Sequence, residues 1–197
     1  MSFLSQTNKN KTNMGNKRTT IMVGTFEVHD GIIVVGDPCY TDVKHLIKTQ
    51  AKNGKYNAYV VMSDEGDWGI RVAELIAIHE DDDYGTPLWE IYNEGVGVDS
   101  GTMGIFDNEY HYNHHYNNEL DEDWYDKVIC DELIDYKYLI DGNACALSES
   151  GFGDGYYDVE VVYDRESNDN ATICAVKVIF IEDDEDYDVE DYEDDED

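Results

Sequence analysis

The sequence predicts an α+β domain, mainly antiparallel β-sheet curled into a sandwich or an open barrel, with one or two short helices. Three observations predict it. The apolar set is rich in Val, Ile and Tyr, with 16 tyrosines among 197 residues, and such side chains suit pleated, half-buried surfaces better than helix faces. Short apolar runs are separated by turns containing Asp and Gly, which is how strands are punctuated. The order reads strands, a short helix, strands, a helix and strands again, without the regular alternation that builds parallel sheets. With 41% hydrophobic residues, one packed domain has enough apolar material for a core.

Residues 1–19 are rich in Asn, Lys, Thr and Ser and read as a flexible basic lead-in. Ile21 to Val28 and Ile32 to Val35 flank His29-Asp30-Gly31, a pattern that predicts a hairpin. Pro38 ends the second strand, because it cannot donate to a ladder and holds Asp37 extended. Thr41 to Gln50 predicts a short helix, with Thr41 as N-cap and Val43, Leu46 and Ile47 on one face. Tyr56 to Met62 and Trp68 to His79, around a turn at Asp64 to Asp67, form a second predicted hairpin.

An acidic loop follows at Glu80 to Gly85, and then short strands at Leu88 to Tyr92, Gly95 to Val98 and Thr102 to Phe106. Glu109 to Glu119 shows no apolar period and reads as a long loop. Asp121 to Ile134 is the strongest helix. Its Trp124, Val128, Leu133 and Ile134 lie near helical spacing, and acids in its first turn suit the dipole. Tyr156 to Asp164 and Asn170 to Ile181 form a final hairpin. The ordered domain is expected over residues 20–181, with residues 182–197 as a disordered acidic tail.

Charge narrows the function classes. The net charge is −33; residues 1–20 carry +4, residues 182–197 carry −13, and the body between them holds the remaining −24. Such a surface repels nucleic acid backbones and anionic lipid and attracts basic protein surfaces or metal ions, although solubility alone is the favoured reading of the charge. No run approaches the roughly 18–20 apolar residues of a membrane span, and the polar N-terminus lacks the apolar region of a secretory signal. Cys39, Cys130, Cys145 and Cys174 show no CxxC spacing, so reduced thiols in a cytoplasm are expected, and structural zinc is not.

Three glycine–aspartate clusters end predicted strands: Gly36-Asp37-Pro38-Cys39-Tyr40, the run from Val98 through Asp99 to Asp107, and Ser150 to Tyr157. If they converge on one rim, Asp37, Asp99, Asp107 and Asp154, with Tyr157 beside them, form a ligand site or hold a divalent cation. The plainer reading is turn chemistry, with carboxylates accepting local amides and Gly supplying positive φ; it is the favoured one. SGFGDG is neither a Walker loop nor a dinucleotide fingerprint, because no GK[ST] follows and the next segment reads as a strand, which leaves nucleotide binding as a minor reading. His111, His114 and His115, interleaved with tyrosines, have the makings of a transition-metal site, but a solvated loop is the favoured reading. Cys39 would need a neighbouring histidine to act as a nucleophile.

GDPCY, DSGTMGIFD and SGFGDGYYDVEVVYD followed by AVKVIF resemble a family of uncharacterised bacterial and bacteriophage proteins, a domain of unknown function, over residues 32–181. The resemblance implies a bacterial or phage intracellular protein, in the host cytoplasm if phage-encoded, and supplies no activity. The reading that results is a non-enzymatic acidic binding or accessory protein engaging a basic protein partner. A divalent-cation-dependent hydrolase or small-ligand domain at the Gly-Asp turns is the alternative, and a virion structural role is the third.

Overall fold

The computed structural model describes residues 17–40, 44–82, 87–92, 95–115, 124–165, 167 and 171–183, without the side chains of 112–115. The strands are β1 Arg18–Val28, β2 Ile32–Gly36, β3 Ile47–Gln50, β4 Gly54–Asp64, β5 Ile70–His79, β6 Glu90–Ile91, β7 Val96–Val98 and β8 Thr102–Asp107. After the helices come β9 Tyr138–Asp141, β10 Cys145–Glu149, β11 Gly155–Tyr163 and β12 Ile173–Ile179. Two antiparallel sheets result. One has the order β1-β4-β5-β12-β11-β6, with β7 also on β11; the other has the order β3-β2-β8-β10-β9. This is the expected α+β class in its sandwich form, and the sheets do not close into a barrel.

Period-two alternation builds the interior. Phe26, Tyr56, Ala58, Val60, Leu75 and Val176 of the larger sheet meet Ile33, Val35, Met103, Ile105 and Ala146 of the smaller. The intervening residues of the smaller sheet, Val34, Phe106, Cys145 and Leu147, face the other way and are also buried. They are covered by α2, which is π-wound over Tyr125–Leu133 and closes with an α-turn at Ile134–Tyr136. Strand β8 is therefore buried along its whole length, which accounts for its continuous apolar run.

The helix over 121–134 is borne out in its described part, but its face differs from the expected one. Trp124, Val128, Ile129 and Leu133 are buried while Ile134 is 63% exposed. Those four lie four and five residues apart, the spacing that i→i+5 winding keeps on one face.

Three other elements depart from expectation. The Asp30-Gly31 turn does not join a hairpin, because β1 pairs with β4 and β2 with β3 and β8. It is a corner between sheets, fixed by the His29 amide donating to Asp107 (2.9 Å) and the Asn108 side chain donating to Asp30 (2.6 Å). The predicted helix over 41–50 is overturned where it is described: Ile47–Gln50 is the edge strand β3, with Ile47 buried in the core. Backbone pairing with β2 outweighs a weak helical pattern there. The predicted loop at 109–119 begins instead as a helix, α1 Asn108–His115. The Asp107 carboxylate accepts the Tyr110 amide (3.2 Å), a cap three residues before the amide it satisfies.

Both later hairpins form as expected, β4 with β5 and β11 with β12. Trp68 stands in the connecting turn rather than in the strand. Strand β1 begins at Arg18, whose guanidinium donates to the Ile181 carbonyl (2.9 Å) and lies 3.6 Å from Asp183. Most of the basic lead-in and residues 184–197 of the acidic tail lie outside the described residues.

Gly104 shows how tightly the helical layer sits. A Cβ there would lie 2.1 Å from the Phe106 ring and 3.0 Å from Leu147. The ring folds back over the glycine to meet α2. We expect Gly104→Ala to cost about 1–3 kcal/mol by overpacking, measured as a lower urea midpoint; an unchanged midpoint would show that the ring can move aside.

Candidate functional site

The three glycine–aspartate clusters meet at one end of the sandwich, and Asp37 is the reason. It is fully buried. Its Oδ1 accepts the Cys39 amide (2.8 Å) and the Ser100 hydroxyl (2.6 Å); its Oδ2 accepts the amides of Asp99 (2.8 Å) and Ser100 (2.7 Å). One carboxylate thus ties the first cluster to the second. The Ser150 amide then donates to the Gly101 carbonyl (3.0 Å), joining the third. Tyr157 secures that last loop by donating to the carbonyls of Gly153 (2.6 Å) and Ser150 (3.0 Å), its ring edge-on to Phe180. Gly101 and Gly151 take φ of 70° and 61°, which only glycine adopts without strain.

The predicted site residues therefore divide. Asp37, Asp99, Asp154 and Tyr157 share the rim. Asp99 accepts the Tyr40 hydroxyl (2.5 Å), and Asp154 is exposed in its loop. Asp107 does not join them. It ends β8 at the far side, about five strand steps (~17 Å) from Thr102, where burial raises its pKa despite the His29 and Tyr110 amides. Asp37 spends both oxygens on amide and hydroxyl donors, of which only the Cys39 amide belongs to its own turn; the other three come from Asp99 and Ser100, far along the chain. Among the described residues no group of three or more His, Cys, Asp or Glu is disposed to hold a metal ion. His111 is buried edge-on to Phe106 rather than lying in a solvated loop; the side chains of His114 and His115 lie outside the described residues. Partial burial, with the Asp37 carboxylate, pushes the Cys39 thiol up to about 12, away from the thiolate a nucleophile requires.

The same rim carries a feature that the sequence reading passed over. Trp68, at the tip of the β4–β5 hairpin, is 70% exposed, Ile70 is 58% exposed and Phe152 is 55% exposed. Trp68 and Phe152 meet edge-to-face with centroids 6.2 Å apart. Arg71 holds the pair, donating to the Trp68 carbonyl (3.0 Å) with its guanidinium 5.8 Å from the Phe152 ring centre. Lys137 donates to the Ile70 carbonyl (3.1 Å) from the end of α2. Asp64, Asp67 and Asp154 are exposed in the two turns that carry the aromatics, and Asp183 is tethered to Arg18 beside the start of β1. A signal was present: both aromatics stand inside glycine–acid turns, EGDWG and SGFGDG, where no neighbouring apolar residue offers cover.

No family model, no curated protein and no solved structure matches the chain. No helix among the described residues is long and apolar enough to cross a membrane.

Proposed function

We propose that the protein is a non-enzymatic acidic binding protein that docks a basic protein partner on the Trp68–Ile70–Phe152 rim. The observation that supports this is the exposed aromatic pair, pre-positioned by Arg71 and set among exposed carboxylates. Rigid aromatic side chains are the usual energetic anchors of an interface. Their faces also accept Lys and Arg from a partner, while the −33 charge of the chain steers a basic surface toward them. The resemblance in the Gly-Asp motifs suits an accessory protein of bacterial or phage origin. Those turns then serve as the frame of the rim, with Asp37 holding the loops from which Phe152 projects.

The test is affinity capture from bacterial lysate by three forms side by side: the full chain, the chain ending at Ile181, and Trp68→Ser with Phe152→Ser. Basic proteins held by the full chain should fall at least ~10-fold on the double variant, as expected for the loss of two anchors. Its unfolding midpoint should hardly change, because both rings are largely exposed. A capture profile that ignores the double variant would overturn the reading. Loss only on removal of 182–197 would assign binding to the tail instead of the rim.

A further inference from the structure

The aromatic rim lies where the basic lead-in joins the fold. Strand β1 runs antiparallel to β4, with Arg18 opposite Ser63. The Asp64 amide donates to the carbonyl of Lys17 (3.3 Å), the first described residue, which is exposed. Asp64 in turn pairs with Ile70 across the β4–β5 hairpin. Lys17 therefore lies two strand spacings, about 10 Å, from Ile70. Followed back from Arg18, the chain is aimed along the hairpin toward the tip that carries Trp68.

The surface ahead of it has a definite chemistry. Trp68, Arg71 and Phe152 line a cleft of about 410 Å³. The Arg71 guanidinium, 5.8 Å from the Phe152 ring centre, repels a second cation from the middle of that cleft. Exposed Asp64, Asp67 and Asp154 stand in the turns around it. The cleft thus favours an apolar side chain at its centre and ammonium groups at its margins. Two aromatic rings suit a thioether in particular, because sulfur packs well against ring edges.

The residues before Lys17 supply that order. Lys11-Thr12-Asn13-Met14-Gly15-Asn16-Lys17 sets one long apolar side chain midway between two lysines, and residues 1–20 contain no acid. Three residues of extended chain span up to ~10 Å, so Met14 reaches Ile70 and the cleft beside it. Three more carry Lys11 past the rings to the acidic margin. The tether is short, which makes the local concentration of the segment high.

We propose that Lys11–Lys17 docks on the rim of its own chain, with Met14 over the Trp68–Phe152 pair and the lysines toward the surrounding carboxylates, so that a partner must displace it. The inference rests on the rim being the docking surface for a basic protein. It also narrows that partner to a basic segment carrying a long apolar side chain about three residues from a lysine.

Full-length chains and a fluorescein-labelled peptide of residues 9–17 test it by anisotropy at about physiological salt, where exposed charges are screened beyond ~8 Å. Met14→Ser in the chain vacates the rim, and that chain should bind the peptide at least ~5-fold more tightly than the unaltered one, because a tethered competitor raises the apparent Kd. Trp68→Ser with Phe152→Ser should abolish peptide binding. A peptide carrying Met14→Ser should bind at least ~5-fold more weakly, as loss of one apolar anchor dictates. In the chain itself, Met14→Ser should move the Trp68 indole N–H resonance and leave that of Trp124, which donates to Asp141 (2.6 Å), in place. A still Trp68 resonance with equal peptide affinity for the two chains would overturn the contact, while capture from lysate would continue to judge the rim separately. Equal binding of the two peptides would overturn it in favour of general counter-ion attraction. Peptide binding lost only on the chain ending at Ile181 would assign the lead-in to the acidic tail. Capture that ignores Trp68→Ser with Phe152→Ser would remove the partner, and the competition with it, even if the Trp68 resonance moves.

Discussion

Replacing Asp37 with alanine is expected to destabilise the protein by about 3–5 kcal/mol, the range for breaking a buried charged hydrogen-bond network. The carboxylate is fully buried and accepts four bonds at 2.6–2.8 Å. Each bond to a charged acceptor contributes roughly 1.5–3 kcal/mol, but the four are not additive, because water and loop movement recover part of the loss. Three amides, those of Cys39, Asp99 and Ser100, would be left without their acceptor. Asn in place of Asp keeps one oxygen and turns an NH₂ toward amide donors, so it should cost about half as much. The urea midpoint should fall without a change in slope. Amide exchange should rise first at Cys39, Asp99 and Ser100, and then in the Ser150–Gly155 loop that hangs from Gly101. A loss below about 1 kcal/mol for Asp37→Ala would show that the clusters are held elsewhere. Because the network frames Phe152, the same variant should weaken partner capture more than an exposed substitution at Asp154 would.

Asp37 also marks how far the sequence could be read. The alternation in Tyr56 to Met62 and the Asp64–Asp67 turn were enough for β4 and β5, because local period and turn chemistry agree there. They were not enough at Asp30-Gly31. A turn signal states that the chain bends, while the choice between pairing with its neighbour and crossing to another sheet depends on β4 and β8, far away in sequence. Ile47 looked helical because Leu46 and Ile47 stand three and four residues after Val43; the open edge of β2 made it a strand. The Gly-Asp pattern makes Asp107 look like a ligand, but it is the cap of α1 and the latch of the sheet corner, a role set by the approach of His29 from across the fold. The convergence of the three clusters was legible as possible geometry, but the hub was not. Nothing local distinguishes Asp37, whose acceptors reach 62 and 63 residues along the chain, from Asp99, which faces solvent. Trp68 and Phe152 were the legible signal left unused, since exposure of an aromatic is foreshadowed when glycine and acid surround it.

Stability should fall as pH rises, and the resolved proton affinities all point that way. Burial raises the Asp107 pKa above the usual carboxylate value, and burial raises that of Glu74 although Lys177 and Arg18 pull it down. A carboxyl with a raised pKa in the folded state binds its proton more tightly there than in the unfolded chain. From just below its ordinary value near ~4 up to the raised one, folding takes up protons, so acidification stabilises. That contribution is lost as pH rises through the folded value.

The net charge of −33 adds to the same slope, since titrating toward the isoelectric point near 4.1 relieves self-repulsion. At the alkaline end, burial holds the Tyr56 and Tyr110 phenols protonated well above their ordinary value, and the bond to Asp99 lifts Tyr40 to about 12. The unfolded chain would ionise these groups near ~10, so folding is again favoured by the proton and lost without it. Lys52 agrees: burial disfavours its ammonium, but the bond to Asp82 and nearby carboxylates outweigh that and leave its pKa raised. Its stabilising pair is complete below the ordinary lysine value and disappears as pH rises through the folded one.

Urea midpoints in dilute salt should therefore be higher at pH 5 than at pH 7, nearly flat to pH 9, and falling steeply beyond about pH 10. Added salt should shrink the step between pH 5 and 7 by screening surface repulsion, while Asp107→Asn should remove the part of the acid-side slope that burial of Asp107 contributes. A midpoint that climbs from pH 5 to pH 7 would mean that paired carboxylates, rather than crowded and buried ones, dominate the acidic body.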